Sequence, residues 1–245
     1  MKITKYLPEG TVIAIRYILH KINRYRNAIY AQEGEDVILE RIINIEAGKM
    51  KGFYIDIGAH HPSRFSNTFF FYKRGWNGIN IDAQPGVMRL FNAVRPRDIN
   101  LEMCVSNKRE TLEFHIFGEP GLNSADPDTA QRRKKDISDN SGFIKTVKVR
   151  ADTLKAILDT HCPDKQHIDF MSIDVEGMDL KVLQSNDWTK YRPDHILIEQ
   201  LGETYYSLSN SEIAIYLEQV GYLPFSKLVH TVIYRKKDMA PLQYF

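Results

Sequence analysis

The amino-acid sequence predicts one α/β domain built on an open, mostly parallel sheet, preceded by a separate basic helix. Three observations predict it. From Phe53 onward, apolar runs of strand length alternate with segments of helical period, the pattern of strands joined by crossover helices. Four of those runs carry an acid at or near their carboxyl ends, Asp56, Asp82, Asp174 and Glu199. The last two short alternating segments, Tyr222–Phe225 and Val229–Tyr234, read as a closing antiparallel hairpin.

The N-terminal piece, residues 1–30, stands apart from this rhythm. Val12, Ile15, Leu19 and Ile22 recur at helical spacing, while Arg16, His20, Lys21, Arg24 and Arg26 supply positive charge. Such a helix packs on its own domain or a second subunit, or lies on an anionic membrane surface. Residues 31–245 form the main domain. Gln32 to Asp36 leads into an amphipathic helix over Val37–Ile43, with Glu35 and Asp36 at the start, where acids favour the helix dipole.

The core then unfolds in order. A strand over Phe53–Ile57 feeds the small turn Gly58-Ala59-His60-His61. A helix over Ser66–Arg74 follows, its first residues Ser66, Asn67 and Thr68 suited to capping free N–H groups and its end marked by Gly75. Gly78–Asp82 is the second strand. A helix opening on Pro85 reaches Val94, and Ile99–Val105 is the third strand. Thr111–Phe117 and Lys145–Arg150 alternate like strands around a polar insert, Gly118–Gly142, which includes the basic run Arg132–Lys135 and is expected to be a surface loop or lid. The rhythm resumes with a helix over Asp152–Thr160, a strand over Ile168–Ile173 delivering Asp174, and a helix over Met178–Gln184. The strand His195–Glu199 follows, and then a helix opened by a Ser209/Glu212 capping box and closed before Gly221.

Composition narrows the function classes. At 245 residues with 43% hydrophobic content the chain can fill a sizeable core, and a net charge of +2 argues for neither nucleic acid nor membrane. The basic run lacks the aromatic interleaving of a nucleic-acid site. Cys104 and Cys162 match no metal or redox spacing, which favours a reducing, cytoplasmic setting. No signal peptide and no apolar run of about 20 residues is visible, so the chain is expected to be soluble and at most peripheral to a membrane.

The turn after the first strand argues against a dinucleotide. A pyrophosphate turn needs several glycines over bare helix N–H groups, whereas here a carboxylate leads and one glycine follows. Asp82, 24 residues beyond Gly58, stands where doubly wound folds place an acid on ribose hydroxyls. A ribose-bearing ligand with an ammonium group fits both features, and S-adenosylmethionine is such a ligand.

Tyr54-Ile-Asp-Ile-Gly-Ala59 with Ser66-Asn-Thr68, Gly75-Trp-Asn-Gly-Ile-Asn-Ile-Asp82, and Ile168-Asp-Phe-Met-Ser-Ile-Asp-Val-Glu-Gly177 with Ile196-Leu-Ile-Glu199 resemble the motifs of FkbM-type S-adenosylmethionine-dependent methyltransferases. The resemblance spans about Gln32 to Arg235 and excludes the N-terminal helix and the insert. It implies a class I methyltransferase fold, Rossmann-like, with a seven-stranded, mostly parallel sheet and an antiparallel C-terminal hairpin. It also implies O-methylation of a sugar or natural-product hydroxyl. Carried over, it sets Asp56, Gly58 and Ala59, with His60 beside them, against the methionine part of the cofactor, Asp82 on the ribose, and Cys104, Val105 and Ser106 near the adenine. Ser66, Asn67 and Thr68 lie behind the turn, and Gln32 and Glu35 either close over the cofactor or cap a helix.

A sugar hydroxyl is a poor nucleophile while protonated, so a base or a metal should assist. Asp174, Glu176, Glu199 and His230 are the catalytic candidates, with Asp174, also beside the cofactor, the first choice to face the acceptor. Asp174 and Glu199 together would also suit a hard divalent ion, whereas adjacent His60 and His61 make a poor metal pair. The expected partner is a small-molecule or glycan acceptor. Two other readings remain, a non-catalytic cofactor-binding scaffold docked to a membrane assembly and a nicotinamide-dependent oxidoreductase, the latter disfavoured by the missing glycines.

Overall fold

The computed structural model describes residues 28–47, 51–136 and 142–240, with Pro8 and Thr11. The basic helix expected near the N-terminus lies outside these residues. Helix α1 spans Glu35–Ala47, and the domain proper then runs β1 (Phe53–Ile57), α2 (Phe69–Lys73), β2 (Asn77–Asp82), α3 (Val87–Val94), β3 (Ile99–Glu102), β4 (Cys104–Val105) and β5 (Glu110–Phe117). It continues through α4 (Pro127–Asp136), β6 (Phe143–Asp152), α5 (Leu154–His161), β7 (Phe170–Ile173), α6 (Asp179–Gln184) and β8 (His195–Glu199). Helix α7 (Glu212–Gln219) and the strands β9 (Tyr222–Lys227) and β10 (Thr231–Lys236) close the chain.

Seven strands form the main sheet in the order β3-β2-β1-β7-β8-β10-β9. All neighbours from β3 to β8 run parallel, and β10 lies antiparallel to both β8 and β9, so the closing hairpin expected from the sequence is present. The order runs outward from β1 in one direction and from β7 in the other, which opens a crevice at their carboxyl ends.

The central strand β1 shows why the sequence folds this way. All five of its residues are buried, as a parallel strand covered on both faces requires. Phe53, Ile55 and Ile57 pack with Leu154, Ile157, Val182 and Leu217 on one face. Tyr54 turns the other way, to Leu39, Phe70, Phe71 and Phe170. Side chains alternate along a strand, so Asp56 shares the face of Tyr54 and points at the start of α2. That placement decides its partners.

Several boundaries differ from expectation for identifiable reasons. Helix α2 begins at Phe69, whose N donates to Ser66 Oγ at 3.1 Å, while Thr68 turns its hydroxyl away to Asp56. Helix α3 begins at Val87 after a left-handed Gly86 (φ 84°), leaving Pro85 outside it. The expected third strand is two strands. After Glu102 the chain leaves the main sheet, Met103 N donates to the carbonyl of Asp82 at 2.9 Å, and β4 pairs with β6 in a separate three-stranded sheet, β4-β6-β5. The cap of α7 is Ser211, which accepts from Ala214 N at 3.1 Å, and Ser209 instead sits in a 3-10 turn over Leu208–Asn210.

The largest correction concerns the insert. Most of it is ordered secondary structure, with a 3-10 turn at Pro120–Leu122 and helix α4 carrying the basic run. Helix α4 buries chiefly Thr129 and Ala130, so its sequence shows no apolar stripe. No helix among the described residues is long and apolar enough to cross a membrane. At the outer edge, β9 contains Pro224, and its ladder with β10 shifts register between Ile233 and Tyr234.

Candidate active site

A cavity of about 440 Å³ opens at the carboxyl ends of β1, β2, β7 and β8. Its floor is the turn after β1, where Gly58 is held at φ 79°. A Cβ there would lie 1.7 Å from the carbonyl oxygen of Asp174, so only glycine lets the turns after β1 and β7 meet. The contact fixes the two floor segments to each other. Insert residues, among them Leu122, Asn123, Ala125 and Arg133, form the roof.

Asp82 is held at the end of β2 by two backbone donors. His60 N reaches Oδ2 and Gln84 N reaches Oδ1, each at 2.7 Å, which leaves acceptor capacity on both oxygens for a ligand in the cavity. Burial pushes its carboxyl above the usual range, with the two N–H groups acting against that. Asp56 accepts from the Thr68 hydroxyl at 2.7 Å, and Thr68 Oγ1 in turn accepts from Arg95 Nη2 at 3.0 Å. Arg95 is fully buried and bound to Asp98 at 2.8 Å, and Asp98 also holds the Tyr54 hydroxyl, Gly78 N and Asn80. A polar network thus props the floor from beneath.

Asp174, Glu176 and Glu199 meet on the far side, with one oxygen from each lying within 4.8 Å of the others. Burial and the neighbouring Glu176 and Asp179 push Glu199 up to about 7. Burial and then Glu199 hold Asp174 well above the usual carboxylate range, and burial raises Glu176 against the opposing Arg133. Three like charges so close do not all ionise at neutral pH, so the group shares protons. The same spacing would also admit a hard divalent cation.

These raised groups have a sign for stability. A carboxyl whose folded pKa exceeds its unfolded value contributes stability that is complete below the unfolded value and is lost as pH rises through the folded one. The ligand-free protein should therefore lose stability between about pH 4.5 and 7 on account of Glu199, and Glu199→Gln should flatten that decline. Thermal midpoints across this range, compared for the two proteins, measure it; identical slopes would remove the assignment.

Glu176 adopts φ 54° and is tied to the roof through an ion pair with Arg133, while Ser124 Oγ donates to its carbonyl at 2.8 Å. The helix-start role belongs instead to Asp179, which accepts from Val175 N and Gly177 N. His230 Nδ1 lies 2.6 Å from Glu33 Oε1, and His230 lines the same cavity.

Most residues anticipated from the sequence converge here. Gln32, Asp56, Gly58, Ala59, His60, Asn67, Asp82, Cys104, Val105, Asp174, Glu176, Glu199 and His230 all line the cavity. Four do not. Ser66 Oγ accepts from Phe69 N at 3.1 Å beneath the floor, and Thr68 is spent on Asp56 and Arg95. Ser106 donates to Glu110 at 3.0 Å on the second sheet. Glu35 accepts from the Thr231 hydroxyl and Glu33 N, each at 2.8 Å, and borders only a small side recess. His61 accepts from Ser63 N and Arg64 N, which makes it a turn former.

Sequence reasoning missed Arg133, Asn123 and Gln84. Asn123 Nδ2 donates to Gln84 Oε1 at 3.1 Å, fastening the roof to the loop after β2. Arg133 was visible only as one member of a basic run. Arg95 carried no signal beyond its i,i+3 spacing to Asp98.

A family model described as the Methyltransferase FkbM domain matches residues 56–224, from the floor carboxylate into β9. No curated protein sequence matches the chain.

Proposed function

The chain belongs to the FkbM methyltransferase family, and from that premise we propose that it is an S-adenosylmethionine-dependent O-methyltransferase acting on a hydroxyl of a carbohydrate or glycoconjugate. One observation carries the reading: Asp56, Asp82, Asp174 and Glu199, delivered by four adjacent parallel strands, line a single cavity. Such a wall favours a cationic ligand and disfavours a pyrophosphate.

The residues present fit the cofactor. Asp82 is already oriented by two N–H groups and takes ribose hydroxyls with its free lone pairs. Cys104 and Val105 border the space where an adenine would lie, and the Gly58–Ala59 turn, with Asp56 below it, accepts the amino-acid end. Bound there, S-adenosylmethionine supplies an electrophilic methyl group. Asp174, with Glu199 beside it, receives the acceptor hydroxyl in a hydrogen bond that aligns its oxygen. Arg133 keeps Glu176 from adding a further uncompensated charge.

Isothermal titration with S-adenosylhomocysteine and with oxidised and reduced nicotinamide cofactors tests the first half of the reading. Binding of the homocysteine product alone is expected; nicotinamide binding without it would overturn the assignment. Transfer of labelled methyl from S-adenosylmethionine to a panel of hexoses and oligosaccharides tests the second half.

A further inference from the structure

His230 sits in the turn between β9 and β10, and its surroundings fix both its backbone and its ring. Its carbonyl accepts from Gln200 N at 2.7 Å, and its N–H donates to both oxygens of Glu33 at 3.0 Å. The ring Nδ1 faces Glu33 Oε1 at 2.6 Å. Glu33 is itself held, because its backbone N donates to Glu35, which accepts from the Thr231 hydroxyl at the start of β10. The segment before α1 is thus clamped to the hairpin by two carboxylates, one of which grips an imidazole at the cavity wall.

We propose that Glu33 positions His230 to take the proton from the acceptor hydroxyl, an assignment that rests on the O-methylation reading above. A carboxylate on Nδ1 selects the tautomer with the proton on that nitrogen, so Nε2 carries the lone pair. Nε2 has no hydrogen-bond partner among the described residues, and His230 is 43% exposed while lining the cavity beside Glu199. Asp174 and Glu199 serve a different purpose, aligning the acceptor hydroxyl, while that ring nitrogen is free to take its proton.

The step balances. The acceptor O–H bond breaks and its proton goes to Nε2, the oxygen forms the new O–CH3 bond, and the electron pair of the broken S–CH3 bond stays on sulfur. The imidazolium that results is stabilised by Glu33 and later loses its proton to solvent. The charged groups around the ring are Glu33 and Glu35 from the segment entering α1, Glu199 from β8, and Asp174 and Glu176 after β7. Arg133 belongs to α4, and Lys227, on the same hairpin, is engaged by the carbonyls of Leu228 and Val229.

The test uses the full chain and two readouts. Histidine 15N NMR, assigned by His230→Gln, should show His230 with its neutral-form proton on Nδ1, and Glu33→Gln should move the population toward Nε2–H. A wild-type ring protonated on Nε2 would overturn the proposal. In methyl transfer to an accepted sugar, His230→Gln should lower kcat by about 10²–10⁴-fold with S-adenosylhomocysteine affinity unchanged. Glu33→Gln should lower kcat at least about tenfold at constant KM. Glu33→Asp should restore part of the rate. Wild-type kcat together with an unchanged tautomer in Glu33→Gln would sink the positioning role. If the wild type binds S-adenosylhomocysteine yet methylates no sugar, the O-methylation reading fails, while the tautomer measurement still decides whether Glu33 sets the ring.

Discussion

Asp174→Asn should reduce kcat for methyl transfer by about 100-fold or more, the scale set by misplacing or failing to engage a reacting group. Asparagine keeps the shape but replaces one acceptor oxygen by a donor, so the acceptor hydroxyl loses its aligning partner. The same change relieves crowding among Asp174, Glu176 and Glu199. The variant should therefore melt at least as high as the parent above pH 7, because the group it removes is a carboxyl held well above its ordinary range by burial and by Glu199. Activity and thermal midpoint thus move in opposite directions. A variant with rates within about threefold of the parent would place the acceptor elsewhere, and one that loses rate together with its fold would show a structural role instead.

Arg95→Met should cost about 3–5 kcal/mol of stability, the range for removing one member of a buried ion pair. The guanidinium is fully buried, donates to Asp98 at 2.8 Å and to the Tyr54 hydroxyl at 2.8 Å, and reaches Thr68 and Ser66. Without it, buried Asp98 retains the Tyr54, Gly78 and Asn80 donors but loses its countercharge, and Thr68 loses the donor that steadies its bond to Asp56. Denaturant titration measures the loss. Adding Asp98→Asn to Arg95→Met should recover part of it, since the double variant leaves no orphaned charge. Additive costs in that cycle would show that the pair is not coupled.

The sheet and the convergence of strand-end acids were legible because both follow from local rules. Apolar runs of five residues with an acid at the end mark buried parallel strands, and parallel strands share one edge, so Asp56, Asp82, Asp174 and Glu199 had to approach one another. The departures have equally local causes. Nothing in Ile99–Val105 announces that the chain changes sheets at Met103, because a strand reads the same whichever partner it pairs with. Helix α4 escaped notice because little of it is buried, and its contribution, the Arg133 ion pair with Glu176, is made by a side chain that reads as solvated charge. Ser66 and Thr68 carried the residue types of a helix cap; Ser66 does accept from Phe69 N, whereas the side-chain alternation of β1 aims Asp56 at Thr68 and diverts its hydroxyl. Glu33 gave no sequence signal at all, since its partner His230 lies 197 positions away.

The far edge of the sheet bears on self-association. A sheet that ends on an open strand offers unpaired N–H and C=O groups to any other extended chain, which is a route to aggregation. Here β9 carries Pro224, which has no N–H to give, and the ladder skips Phe225 between Ser226 and Pro224, opposite Ile233 and Tyr234, which twists the pair locally. A strand arriving from another molecule would meet a broken ladder, so the exposed Leu223 and Phe225 sit on an edge that resists recruitment into a larger sheet.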